Sequence, residues 1–174
     1  VKVTNNGDPT GNYTGKSKSV VQLYAQTPWK AGQAEKSAIQ LIGFGKTKLL
    51  GKDEYEVVSV VADDYLFATY DENATNGADT SKKGCYVFDA GDYYFAIGND
   101  AHDALNNVLA KTHPDATLTD EKGNEVSGVA AKVSDAINVA TLDNSTYAKS
   151  PATGEIVCNT LQEINFNYYT KNAI

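Results

Sequence analysis

The chain has 174 residues, 41% of them hydrophobic, and a formal net charge of −7. This length suits one domain, or one domain with an appendage, and the hydrophobic share is too large for a disordered chain. The sequence shows no basic patch of the kind that nucleic-acid binding requires, and no apolar run approaches the roughly 18 residues of a membrane span.

Most of the predicted elements are short strands. They share β-branched and aromatic residues with turn residues between them, and they cover residues 1–5, 19–26, 38–44, 54–61, 85–88 and 93–98. The last two flank the turn Asp89-Ala90-Gly91-Asp92 and are predicted to form a hairpin. Because no helical pattern separates the strands, the sequence predicts a mainly β fold, an antiparallel β-sandwich.

One short helix is predicted after these strands. Asp100 is a suitable N-cap residue, and the apolar residues from Ala101 to Lys111 fall on one helical face. His113-Pro114 is expected to end the helix, because the residue before a proline avoids helical geometry.

The remainder of the chain has a weaker pattern. Residues 115–155 are rich in small and polar residues, and strand character returns at 156–157 and 164–169. We therefore expect a sandwich with its terminal helix over residues 1–111. Residues 112–174 are expected to form an irregular C-terminal appendage, or a connection toward a neighbouring domain.

Three motifs resemble functional sites without completing them. Gly45-Lys46-Thr47 matches the end of a P-loop but lacks the earlier glycine and the helix that must follow. Residues 71–77 resemble a calcium loop, yet Lys82 stands where a carboxylate is needed. His102 and His113 are too few for a catalytic zinc site. We expect no catalytic, cofactor-binding or metal-ligating residue.

The sole tryptophan, Trp29, lies between Pro28 and Lys30 in a predicted loop. The face of an aromatic ring can stack on the C–H groups of a sugar, and it can equally cover the edge of a core or fill a domain interface. We expect Trp29 to contact a sugar or a neighbouring domain.

The two cysteines, Cys85 and Cys158, form neither a C-x-x-C motif nor a disulfide framework. Two reduced, partly buried thiols are expected. A single bridge between them remains open, because their spacing does not forbid it.

Several ordered blocks resemble the fibronectin type III-like domain of glycoside hydrolase family 3. They are VKVTNNGD (1–8), VVQLY (20–24), EKSAIQLIGFGKT (35–47) and AGDYYFAIG (90–98). Residues 98–107, GNDAHDALNN, resemble bacterial β-glucosidases of this family in particular. One turn departs from the family pattern, with Leu50-Gly51-Lys52-Asp53 where Pro-Gly-Glu is common.

The resemblance implies an immunoglobulin/fibronectin III-like sandwich that serves a β-glucosidase as a non-catalytic accessory module. In that family the nucleophile lies in a (β/α)₈ barrel and the acid/base carboxylate in an α/β domain, so these domains of the parent chain are the expected partners. The alternative is a stand-alone carbohydrate-binding or cell-surface adhesion module. Because the chain begins with Val1 and contains no methionine, we expect a fragment or a processed chain.

Overall fold

The computed structural model describes residues 1–8, 10 and 15–161. These residues form ten strands, one 3₁₀-helix and one α-helix, which confirms a mainly β fold with a single short helix. The elements are β1 (Lys2–Thr4), β2 (Val20–Gln26), β3 (Gln40–Lys46), β4 (Tyr55–Val57), the 3₁₀-helix (Asp64–Phe67), β5 (Thr69–Thr75), β6 (Lys83–Val87), β7 (Gly91–Gly98), α1 (Ala101–Thr112), β8 (Leu118–Thr119), β9 (Glu125–Val126) and β10 (Ile137–Val139).

A four-stranded antiparallel sheet forms the centre of the fold. Its strand order is β10-β7-β2-β3. Leu23 in β2 lies opposite Ile97 of β7 on one side and Gly43 of β3 on the other. Strands β2, β3 and β7 were predicted, because their β-branched and aromatic residues suit a half-buried pleated surface, whereas β10 lies in the segment expected to be irregular.

Helix α1 packs against one face of this sheet, mainly on β7. Its side chains Ala104 and Val108 share a buried cluster with Tyr24 and Ala96. The helix approaches the strand closely at Gly98, where a Cβ atom would lie 2.6 Å from the Ala104 nitrogen. Only a residue without a side chain fits between the two elements there.

Both ends of the helix agree with the prediction. The Asp100 side chain accepts a hydrogen bond of 2.8 Å from the Asp103 nitrogen, as an N-cap should. At the other end, the His113 nitrogen donates to the Leu109 carbonyl, and Pro114 follows.

The opposite face of β3 is covered by the segment that follows β4. A Cβ atom on Gly45 would lie 2.5 Å from Cγ1 of Val58, so glycine permits the two backbones to approach. Strand β4 itself pairs with β1. The prediction of a strand over 54–61 was too long, because only Tyr55–Val57 forms a strand.

The predicted hairpin of 85–88 with 93–98 is wrong. Strand β6 pairs with β5, whereas β7 pairs with β2 and β10. The turn at 89–92 therefore carries the chain from one sheet to another. Strand β5 was missed because its sequence, TYDENAT, is rich in residues that favour loops, and the segment resembling a calcium loop lies largely within it.

Aromatic side chains join these elements. The ring of Phe67, from the 3₁₀-helix, lies 5.6 Å from Phe88, 6.0 Å from Tyr93 and 5.2 Å from Phe95, measured between centroids. The rings are tilted or edge-on, the geometry that aromatic pairs prefer. Phe67 thus lies where the end of β6 and the start of β7 meet.

Beyond the helix, the chain returns to the sheet. β8 and β9 form a small hairpin, and β10 pairs with β7, with Ile137 opposite Tyr93. Ile156 makes an isolated bridge to Lys149. The predicted strand at 164–169 lies outside the described residues, and the division at residue 111 stays a prediction. The α-helix of the described residues is too short to cross a membrane.

Candidate ligand and domain contacts

Trp29 lies in the loop that leaves β2, and this loop is held firmly to the turn before β7. Lys36 and Asp89 form a buried ion pair with a separation of 2.6 Å, and the Gln33 amide donates to the other oxygen of Asp89. Pro28 packs against Gly91 so closely that a Cβ atom there would lie 2.6 Å from the proline ring. Trp29 itself is 54% exposed.

The indole lines a surface groove of about 400 Å³. Its lining combines apolar and polar side chains, namely Gln26, Thr27, Pro28, Trp29, Lys36, Ser37, Ala38 and Asp92. Sites for small ligands commonly have volumes of roughly 300–1,000 Å³ and a few polar groups beside apolar surface. The groove therefore has the size and the mixed lining of a ligand site.

Some polar atoms of this groove are engaged and others are not. The Gln26 amide nitrogen donates to the Ala38 carbonyl at 3.3 Å, and Oδ1 of Asp92 accepts from the Asn138 amide at 2.6 Å. Within the described residues, Oε1 of Gln26, Oδ2 of Asp92 and the Ser37 hydroxyl make no hydrogen bond. They can therefore accept or donate to a ligand.

A second exposed feature is the apolar stripe, which we define as Val20, Leu41 and Phe44. Their exposed fractions are 47%, 48% and 62%. The register places Leu41 opposite Tyr24 and Phe44 opposite Gln22, so the stripe shares the sheet face that α1 covers further along.

The residues of the apolar stripe were not predicted, and a β-bulge explains why. Leu41 and Phe44 are three residues apart, which in a regular strand would place them on opposite faces. The pairing skips Ile42, so that both residues face the same way. A bulge of this kind leaves no clear sequence signal.

A cluster of four tyrosines covers β5, β6 and the 3₁₀-helix. Tyr65 lies 4.8 Å from Tyr86 and 5.0 Å from Tyr147, and Tyr70 lies 5.4 Å from Tyr86, between ring centroids. A hydrogen bond with Tyr86 raises the pKa of Tyr65 to about 12, and a hydrogen bond to Asp64 does the same for Tyr147. The four rings lie at the surface, with Tyr70 the most exposed of them.

The remaining sequence candidates take structural positions. Cys85 and Cys158 are free thiols, and burial raises the pKa of Cys85, which keeps it protonated and unreactive. His102 contacts the Thr119 carbonyl, and His113 ends α1. Lys46 ends β3 rather than opening a helix. Among the described residues, no three acidic, histidine or cysteine side chains are grouped to hold a metal.

Comparison with known proteins agrees with this fold. The family model described as "Fibronectin type III-like domain" matches residues 19–101. A β-glucosidase of Ruminococcus albus is 34% identical over 104 residues, which is 59% of this chain and 10% of that protein. The chain thus spans about a tenth of the length of this curated relative.

Two solved β-glucosidase structures are also similar. One, from Paenibacillus barengoltzii, is 27% identical with a TM-score of 0.47, over 81% of this chain and 12% of that one. The other, β-glucosidase 3B of Thermotoga neapolitana in complex with glucose, is 25% identical with a TM-score of 0.40, over 57% of this chain and 11% of that one.

The matched residues run from the start of β2 to the start of α1, so they include β2, β3 and β7 of the central sheet and the β5–β6 pair. The strands quoted for the resemblance lie in this part of the chain, β1 excepted. Residues 19–101 therefore match the fibronectin type III-like domain family, as the resemblance to this domain of family 3 β-glucosidases predicted.

Proposed function

We propose that the chain is a non-catalytic accessory module of a β-glucosidase and that its apolar stripe packs against another domain of the parent protein. The exposed stripe carries this proposal. The match to a tenth of a β-glucosidase supports it, since nine tenths of that relative lie outside the match.

The composition of the stripe suits an interface between domains. Phe44 and Leu41 place large apolar side chains at the surface, and contiguous apolar surface of this kind marks contact sites. Gln22 and Lys46 lie beside them on the same face. An apolar centre with a polar rim is the usual anatomy of a protein interface.

The carboxylates of the described residues also suit a structural role. Glycoside hydrolysis requires a carboxylic acid whose pKa is raised. In the acidic groove beside α1, Asp100 caps the helix and Asp103 accepts from Asn99. Hydrogen bonds from Asn124 lower the pKa of Asp120, which is the opposite of what a general acid needs.

Reconstitution of the parent enzyme from two polypeptides tests the proposal. We expect this chain to associate with the separately expressed remainder of the parent, and Phe44→Asp to weaken the association at least about tenfold, because a buried charge replaces an aromatic anchor. The dissociation constant is measured by calorimetry. Tyr55→Asp is the matched control, since Tyr55 is 57% exposed on β4, outside the stripe.

Two outcomes would contradict the proposal. One is equal association of the Phe44→Asp variant and the unaltered chain. The other is hydrolysis of an aryl β-glucoside by the purified chain above the level of a mock purification.

A further inference from the structure

The groove at Trp29 is separate from the apolar stripe and has a different chemistry. Its aromatic surface comes from one indole, whereas its other walls carry an amide, hydroxyls and a carboxylate. A partner protein that fits an apolar surface would leave these polar groups unpaired. A ligand that has both an apolar face and several hydroxyl groups satisfies the whole lining.

The charges around the groove favour a neutral ligand. The Lys36 ammonium is neutralised by Asp89 in a pair whose side chains are only 8% and 7% exposed. The Asp92 carboxylate remains at the rim, and one of its oxygens accepts a hydrogen bond from the Asn138 amide. A single carboxylate repels anions, and it accepts hydrogen bonds from hydroxyl groups more strongly than a neutral acceptor does.

The loop that carries Trp29 is held in place by hydrogen bonds within the protein. The Lys30 nitrogen donates to the Gln33 side chain at 2.7 Å, and the Gln33 nitrogen donates back to the Lys30 carbonyl at 3.1 Å. Gln33 and Lys36 both bind Asp89, and Pro28 restricts the backbone just before the indole. Less conformational freedom is therefore lost on binding, which favours affinity.

From these features we infer that the groove binds a neutral pyranose sugar, with its C–H face on the Trp29 ring and its hydroxyl groups on Asp92, Gln26 and Ser37. Aromatic rings attract C–H groups through the negative charge of their faces. Each of these three polar side chains has an atom that makes no hydrogen bond within the described residues. A β-linked glucose chain presents flat C–H faces and equatorial hydroxyls, so it is the ligand class that fits.

This inference goes beyond the proposed module role and does not depend on it. A chain that packs on a neighbouring domain through Phe44 can bind a sugar at Trp29 or fail to do so. The reconstitution experiment and the binding experiment therefore give independent results.

Intrinsic fluorescence provides a direct assay, because Trp29 is the only tryptophan in the chain. We expect cellotetraose to shift the emission of the full 174-residue chain in a saturable manner, whereas sodium glutamate, an anionic solute, does not. Asp92→Asn retains the indole as reporter and should weaken the affinity several-fold, since a neutral amide replaces the carboxylate. Tyr55→Ala, outside the groove, should bind as the unaltered chain does.

Variants of the tryptophan require a second readout. In native gels that contain a soluble β-glucan, we expect the migration of the chain to be retarded. The Trp29→Phe variant should keep much of this retardation, and Trp29→Ala should bind the glucan about tenfold more weakly. Because Trp29 is exposed, these variants should unfold at the same temperature as the parent. Absence of any saturable shift with cellotetraose, or equal retardation of Trp29→Ala, would overturn the sugar site and favour a domain contact.

Discussion

At the scale of single residues, Asn76 connects parts of the chain that are distant in sequence. It is fully buried just after β5. Its amide nitrogen donates to the carbonyls of Ala148 at 2.8 Å and Val157 at 2.7 Å. Its amide oxygen accepts from the backbone nitrogens of Ala78 and Asp79. One side chain thus satisfies four backbone groups.

We expect Asn76→Asp to lower the free energy of unfolding by about 3 kcal/mol or more, because a carboxylate cannot donate to two carbonyls and would be buried beside them. Urea denaturation measures the change. Asn73→Asp is the matched control, since Asn73 is exposed on β5, three residues before Asn76, and its replacement should cost little. Equal stability of the two variants would show that the Asn76 bonds contribute nothing.

Trp29 and its groove show what could be predicted at single positions. The sequence indicated Trp29 because it is the only indole and follows a proline after a strand, and the structure places it on an exposed groove. The groove partners Ser37 and Asp92 could not be predicted. They come from segments that only the folded chain brings together.

At the scale of elements, α1 illustrates how local signals specify a boundary. Asp100 has an extended backbone and accepts from the Asp103 nitrogen, so it satisfies a donor that the first helical turn leaves without a partner. The helix then covers Tyr24 and Ala96 on the sheet. The capping hydrogen bond of Asp100 should therefore contribute to the free energy of unfolding of the whole domain.

Replacement of the cap should destabilise the domain measurably. We expect Asp100→Ala to lower the free energy of unfolding by about 1 kcal/mol and Asp100→Asn to retain most of it, because asparagine caps a helix nearly as well. Denaturant unfolding of the three chains decides the matter. If the alanine and asparagine variants were equally unstable, the charge of Asp100 rather than its capping bond would be responsible.

The strands were predicted correctly where their local sequence patterns were strong, but the pairing of β6 and β7 was predicted wrongly. β2, β3 and β7 carry continuous β-branched and aromatic runs. The turn between β6 and β7 has hairpin residues, yet it connects two sheets, because β2 rather than β6 pairs with β7. Competition among distant partners is a tertiary effect, and turn chemistry alone does not decide it.

At the scale of the whole molecule, tyrosine ionisation should limit stability in alkali. Burial raises the pKa of Tyr93 from 10.0 to about 12, and its hydroxyl donates to the Asp89 carbonyl at 3.0 Å. The folded state thus keeps a neutral Tyr93 where the unfolded chain ionises. This contribution to stability is complete below pH 10 and is lost as the pH rises from about 10 to about 12.

We expect the chain to lose stability between about pH 10 and about pH 12, the interval between the unfolded and folded pKa values of Tyr93, and Tyr93→Phe to lose less over the same interval. Urea unfolding at both pH values measures the two slopes. Tyr65 and Tyr147, whose pKa values are also raised to about 12, should account for part of the remaining slope. Identical slopes for the variant and the parent would refute the assignment to Tyr93.

The position of β10 bears on the association of the molecule with its own copies. This short strand occupies the side of β7 that β2 leaves open. An uncovered strand edge offers its backbone groups to any extended chain nearby, and aggregates grow from such edges. Residues 132–134 bond to the same edge at Phe95 and Ile97, so a molecule that stopped before Lys132 would present β7 as a template for strand addition. The C-terminal segment, whose sequence pattern is the weakest, thereby covers the edge of β7, which is among the most regular strands.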